Sequence, residues 1–166
     1  RVAQRHMTKL RDTTQETTAL AIPASGDALV VGSVQSARQV AISIKHGVVI
    51  PANSSALGRV ILAFAPESVQ EEVLARPLKA FNDQTITDPA RLRRRLSAVR
   101  QHYYEVAINE NDYGIATLAA PVFDADNRLA AAVAVVGSPF NITRTPDKAM
   151  LAALHPLGVI AASIFV

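Results

Sequence analysis

The chain has 166 residues, of which 49% are apolar and 19% charged; this is one domain's worth of sequence with enough apolar surface to bury a core. Cysteine and tryptophan are absent and aromatics reach only 5%. That excludes a disulfide framework, a cysteine-held metal and a thiol nucleophile, and leaves Ala, Val, Ile and Leu to build the core. A formal charge of +3, from 17 basic and 14 acidic residues, is too small to make the chain itself a nucleic-acid binder.

In chain order, residues 2–15 repeat apolar and small positions at helical spacing (Val2, His6, Leu10) and predict a helix. Thr17–Ile22 predicts a strand, Pro23–Asp27 a turn, Leu29–Val34 a second strand and Val40–Ile44, which alternates, a third. Gly47 and Pro51 punctuate a loop. A helix is expected over Ser55–Ala65, with Asn53, Ser54 and Ser55 as candidate N-caps and Pro66 as its stop. Ser68–Ala75 predicts another helix. Thr87-Asp88-Pro89 is a helix start with a cap and a first-turn proline, and the helix runs on through Leu92, Leu96 and Val99 to about Gln101. Strands follow over Tyr103–Ile108, Ile115–Phe123 and Leu129–Val136, the last two joined by a hairpin turn at Asp124–Asn127. Pro146 opens a final helix that reaches almost to the end. Hairpin-linked strands with helices grouped between and at the ends predict an α+β fold: one six-stranded antiparallel sheet, the terminal helices on one face and the central helices on the other.

Three features of the chain's two ends bear on its class. It opens on Arg1 rather than Met, as a fragment of a longer protein would, and shows no signal peptide. Residues 149–166 carry no Asp, Glu, Lys or Arg. Their length is borderline for a span, but His155, Pro156 and Gly158 make a terminal helix docked on the sheet the better expectation, with no membrane partner.

Enzyme signatures are missing. No G-x-S-x-G, P-loop or G-x-G-x-x-G occurs, and the four histidines (His6, His46, His102, His155) lack metal-ligand spacing. No catalytic residue, metal ligand or cofactor is expected. Arg91, Arg93, Arg94, Arg95 and Arg100 form a dense basic run; beside Leu92, Leu96 and Val99 they read first as a solvated helix face within reach of the acidic stretch Glu105–Asp126, and second as a contact for an acidic partner or a DNA backbone. Two segments carry more information. Ser54-Ser55-Ala56-Leu57-Gly58-Arg59 starts a helix in small residues, whose free N–H groups and dipole attract an anion, although ordinary capping explains the same residues. In the strand Ile115–Phe123, Ile115, Thr117 and Ala119 share one face, and Ala132, Ala134 and Val136 share a face of its hairpin partner. The small residues leave volume above the sheet for a helix side chain or a ligand.

Taken in order, these segments resemble the C-terminal effector-binding domain of IclR-type bacterial transcription regulators. The resemblance is carried by Gly47-x-x-x-Pro51, Ser55-Ala56-x-Gly58-Arg59-x-x-Leu62-Ala63, Thr85-Ile86-Thr87-Asp88, Glu110-x-x-x-Gly114-Ile115, Ala119-Ala120-Pro121-Val122, Asp124, Ala131-Ala132-Val133 and Val136-Gly137. It implies a GAF-like fold for residues 16–166. Residues 1–15 would be the helix that leads in from an N-terminal winged helix-turn-helix, which this sequence does not contain. It also implies cytoplasmic location, assembly as dimers or tetramers, DNA contact only through the missing domain, and a small organic effector held in a cup over the sheet.

Carried onto this sequence, the resemblance places effector contacts at Ser54, Ser55, Ala56, Leu57, Ala107, Glu110, Ile115, Thr117, Ala134 and Val136. Family members often carry polar groups at the positions of Ala107, Ala134 and Val136. Their apolar character here favours a larger, more apolar ligand, such as an aromatic acid, with its carboxylate on Ser55, Thr117 or backbone N–H groups. Glu110 is expected to organise its loop by accepting backbone hydrogen bonds. The alternatives are a purely structural oligomerisation domain whose pocket has closed and, less favoured, a small-molecule enzyme.

Overall fold

The computed structural model describes residues 2–154. Helix α1 (Val2–Thr14) leads into a hairpin of β1 (Thr17–Ala24) and β2 (Asp27–Val34). A short strand β3 (Val49–Ile50), a 3-10 turn (Ala52–Ser54) and three helices follow: α2 (Ala56–Ala63), α3 (Glu67–Ala75) and α4 (Pro89–His102). The chain then returns to the sheet as β4 (Glu105–Ile108), β5 (Ala116–Phe123) and β6 (Leu129–Gly137), and α5 (Lys148–Leu154) closes the described part. The sheet order is β3-β2-β1-β6-β5-β4, antiparallel throughout. The two meanders therefore join edge to edge through β1 and β6, as the order of elements predicts.

The pleat sorts the strands' side chains into two cores. One face carries Ala19, Ala119, Ala132, Ala134 and Val136 beneath Leu57, Val60, Ile61, Leu92 and Leu96 of the central helices. The other carries Leu118, Ala120, Val122, Val133 and Val135 against Leu10 of α1, Ile142 and Leu154 of α5. The terminal helices thus lie on one face and the central helices on the other.

The cross-strand register explains how close α2 comes to the sheet. Ala134 of β6 lies between Ala19 of β1 and Ala119 of β5, and the row ends at Glu105 on β4. Three methyl side chains in a row leave room for a helix, and all eight residues of α2 are buried. The next row towards the strand ends is Thr17, Val136, Thr117 and Ala107.

Two local expectations are corrected. Val40–Ile44 is not a strand; the third strand is Val49–Ile50, paired with Leu29 and Ala28. Residues 36–46 instead form a strap fastened by side chains. Thr17 Oγ1 donates to Ile42 O at 2.7 Å, Ser36 Oγ to Gln15 O at 2.8 Å and Ser33 Oγ to Ile44 O at 3.2 Å. The Thr17 and Ser33 hydroxyl groups take strap carbonyls that a ladder would otherwise have used, and Ser36 ties the start of the strap to the end of α1. The alternation reflects Ile42 and Ile44 packing towards the core, not a pleat. Pro23, read as a turn residue, sits in β1 opposite Ala28, and the tight turn is Ser25-Gly26. Of the predicted final helix only Lys148–Leu154 is among the described residues. Most of the apolar stretch 149–166 lies outside them; among the described residues no helix is long and apolar enough to cross a membrane.

Gly58 and Glu16 make two predictions. A Cβ on Gly58 would lie 2.7 Å from Ala52 Cα, a backbone atom. Gly58→Ala should therefore destabilise the domain by about 1–3 kcal/mol in urea unfolding, despite alanine's better helix propensity. The buried Glu16 carboxyl is pushed above its ordinary value by desolvation, against the opposing charge of Arg38, whose Nη1 is 3.1 Å away. The folded state then holds this proton more tightly than the unfolded chain does. The contribution is greatest below the ordinary carboxylate pKa and declines as pH rises through the raised value. Glu16→Gln should flatten that part of the stability–pH curve, followed by thermal unfolding from pH 4 to 7.

Candidate effector cavity

The row Val136, Thr117, Ala107 is the floor of a cavity of about 510 Å³. It lies just past the alanine row that α2 covers, so the helix stops short of it. Ile115 continues the floor. The N-terminal end of α2 supplies one wall, with Ser54, Ser55 and Leu57. The strap and the chain behind it supply a second, with Ile42, Ser43, Ile44, Lys45, Val48 and Ile50. The loop after β4 supplies a third, with Glu110, Asn111, Asp112 and Tyr113.

Eight of the ten residues placed here from sequence line this one cavity: Ser54, Ser55, Leu57, Ala107, Glu110, Ile115, Thr117 and Val136. Ala56 and Ala134 do not. Both are fully buried, Ala134 in the alanine row of the sheet and Ala56 in the first turn of α2. The strap residues and Asn111–Tyr113 were missed. The strap's alternation reads as a strand, and nothing in the loop's sequence shows which way it folds.

Ser55 caps α2. Its Oγ accepts from Gly58 N at 2.9 Å and donates to Pro51 O at 3.0 Å, so the hydroxyl's proton is already used. The loop of Glu110 is tied down from outside. Thr85 Oγ1 donates to Glu110 O at 2.6 Å, Asn82 Nδ2 to Asn109 O at 2.7 Å, and Tyr113 Oη to Asp83.

The Glu110 carboxylate does not accept the backbone hydrogen bonds expected of it. It pairs bidentately with Arg59, through Nη1 at 2.8 Å and Nη2 at 2.7 Å. Arg59 Nε donates to Glu105 Oε2 at 2.7 Å, and Arg95 of α4 donates to both Glu105 oxygens. Arg59 is 0% exposed. Burial alone would lower its affinity for a proton, but Glu105 and Glu110 outweigh that and hold the guanidinium above its ordinary value. Two arginines and two glutamates thus make a closed set in which each charge is answered. The signal for it was an arginine flanked by Ala56-Leu57-Gly58 and Val60-Ile61-Leu62-Ala63, where a lone charge demands buried partners.

The rest of the basic run on α4 is exposed: Arg93 pairs with Glu71 of α3 at 2.6 Å. Among the described residues no group of acidic or histidine side chains is placed to hold a metal ion. The cavity walls offer no nucleophile with an adjacent base. Their chemistry is that of a binding cup: an apolar floor, one ammonium, carboxylates and hydroxyl groups.

Known proteins share this fold. The family model described as the bacterial transcriptional regulator IclR C-terminal region matches residues 1–159. The HTH-type transcriptional regulator RhmR of Escherichia coli K12 is 30% identical over 142 residues, covering 85% of this chain and 55% of its own. The IclR structure from Thermotoga maritima superposes with a TM-score of 0.89 at 26% identity, over 98% of this chain and 66% of that one. An IclR homologue from Microbacterium hydrocarbonoxydans, complexed with 4-hydroxybenzoate, gives 0.86 at 25% identity, over 98% and 65%. The chain thus spans roughly half to two thirds of these relatives. They are transcriptional regulators, not enzymes.

The charge cluster makes a direct prediction. Arg59→Met leaves Glu105 paired with Arg95 alone and the buried Glu110 with no arginine, and should cost about 3–5 kcal/mol in chemical denaturation. The triple variant Arg59→Met, Glu105→Gln, Glu110→Gln should recover part of that loss.

Proposed function

The chain belongs to the C-terminal domain family of IclR-type bacterial transcriptional regulators, and from that membership we propose that it is the effector-sensing and oligomerisation domain of a DNA-binding regulator. The ligand is a small organic acid, an aromatic acid being the best match. Residues 1–15 are its linker-proximal helix and residues 16–166 the sensing domain. DNA is contacted by a part of the regulator outside this sequence. Self-association as a dimer or tetramer sets the spacing of the DNA-binding parts, and the effector acts by binding the alternative assemblies unequally. A regulator of this kind works in the cytoplasm.

The single observation that carries this reading is the cavity. It has the volume of a small-molecule site, its floor is apolar, and its walls come from three separate segments that a ligand would bridge. An open cavity of this size also weighs against a domain whose pocket has closed. The aromatic preference rests on Ala107 and Val136 in the floor and on the 4-hydroxybenzoate complex of the Microbacterium homologue.

Thermal unfolding against benzoate, 4-hydroxybenzoate, hexanoate, pyruvate and glyoxylate tests it. A ligand at one hundred times its Kd stabilises by about 2.7 kcal/mol, a rise of about 5–11 °C for a domain of this length. The expected result is a rise with the aromatic acids and none with glyoxylate or pyruvate. A rise with the small keto-acids alone would reverse the apolar-ligand reading. No rise with any acid would move the domain to a purely structural role.

A further inference from the structure

The charged groups around the cavity are few, and their pairing decides where an anion can go. Glu110 is neutralised by Arg59, and Arg59 spends its donors on Glu105, Glu110 and the carbonyls of Ala52 and Asn53. The arginine behind the cavity therefore has nothing left for a ligand. Ser55 at the start of α2 is committed to its cap and to Pro51 O. Two charged side chains on the walls remain. Lys45 is on the strap beside β2, and Asp112 is on the loop after β4, so they come from opposite edges of the sheet order. Both are exposed, and they form no ion pair with each other.

We propose that Lys45 is the counter-ion of the effector and fixes its direction of binding: the acid group lies at the strap, and the apolar body lies over Ile115, Thr117 and Val136. Asp112 repels the same group and so excludes the reverse pose. This inference deepens the effector reading and rests on it. The charge of the ligand is thereby sensed at the strap, the wall held to the sheet by Thr17, Ser33 and Ser36, and not at the N-terminus of α2. The fixed dipole is the weaker attractor here, because its capping hydroxyl is already engaged and Leu57, the second residue of α2, fills the adjoining wall.

The test uses the tightest-binding carboxylate of the thermal panel together with its neutral primary amide, with Kd measured by titration calorimetry at low and high salt. An exposed ion pair contributes modestly, so Lys45→Gln should weaken the carboxylate about five-fold and leave the amide unchanged. Asp112→Asn should tighten the carboxylate by about two-fold. Both effects should shrink at high salt, as screening requires. Opposite signs from two exposed neutralisations cannot come from loss of folding. The assignment is overturned if Lys45→Gln leaves carboxylate binding intact while Thr117→Val weakens it, or if the amide binds the wild-type chain as tightly as the acid. If no carboxylate in the panel binds the wild-type chain, the effector reading itself fails. If carboxylates bind but neither Lys45→Gln nor Asp112→Asn alters their affinity, only the direction of binding fails.

Discussion

One buried arginine sets the terms for the cavity's surroundings. Arg59 sits on a helix whose other residues are small or apolar, pressed onto a row of alanines, and a guanidinium in that position is tolerable only with full compensation. Glu110 provides it from the loop and Glu105 from the strand at the end of that same alanine row. Arg95 balances the second glutamate from α4. The cluster consequently ties together α2, β4, α4 and the loop that forms one wall of the cavity. The loop is therefore held at both its backbone and its carboxylate, by Thr85 and Asn82 on the one and by Arg59 on the other.

The cavity itself is a product of side-chain size in two adjacent rows of the sheet. Where the row is Ala19, Ala134 and Ala119, the helix descends and fills the space. One row further along, Val136, Thr117 and Ala107 lie beyond the helix's first turn, and the space stays open. A helix one turn longer at its start would have closed it. The chain prevents this by placing Pro51 and the short 3-10 turn there, with Ser55 as cap. Capping chemistry that looks like a purely local matter thus decides whether the domain has a binding cup at all.

Most of the architecture was legible in the sequence because the period-two alternation in β5 and β6 and the capped starts of α2 and α4 are local signals. The two-faced sheet follows from the same alternation. The strap was misread because Val40–Ile44 has a strand's alternation without a strand's partners; hydrogen bonds from Thr17 and Ser33, distant in sequence, satisfy it instead. Glu110 was recognised as a position of interest, but its partner was not, since the pairing spans 51 residues. Arg59 carried a readable clue in the apolar run around it. Lys45, Asp112 and Tyr113 carried none, because ordinary surface residues become cavity walls only when loops from opposite sheet edges are folded over the floor.

The strap's manner of attachment has an evolutionary consequence. Beyond Ser36, its fastening depends on the Thr17 and Ser33 hydroxyl groups of β1 and β2 reaching the carbonyls of Ile42 and Ile44, and those carbonyls are present whatever side chains this part of the strap carries. Ile42, Ser43, Ile44 and Lys45 can therefore be exchanged, and the segment lengthened or shortened, without breaking a strand register elsewhere. The opposite wall has no such freedom, because Glu110 is bound into the charge cluster. A lineage built on this scaffold can diversify what it recognises by rewriting one wall while the other stays fixed, so that new chemistry is read by old machinery.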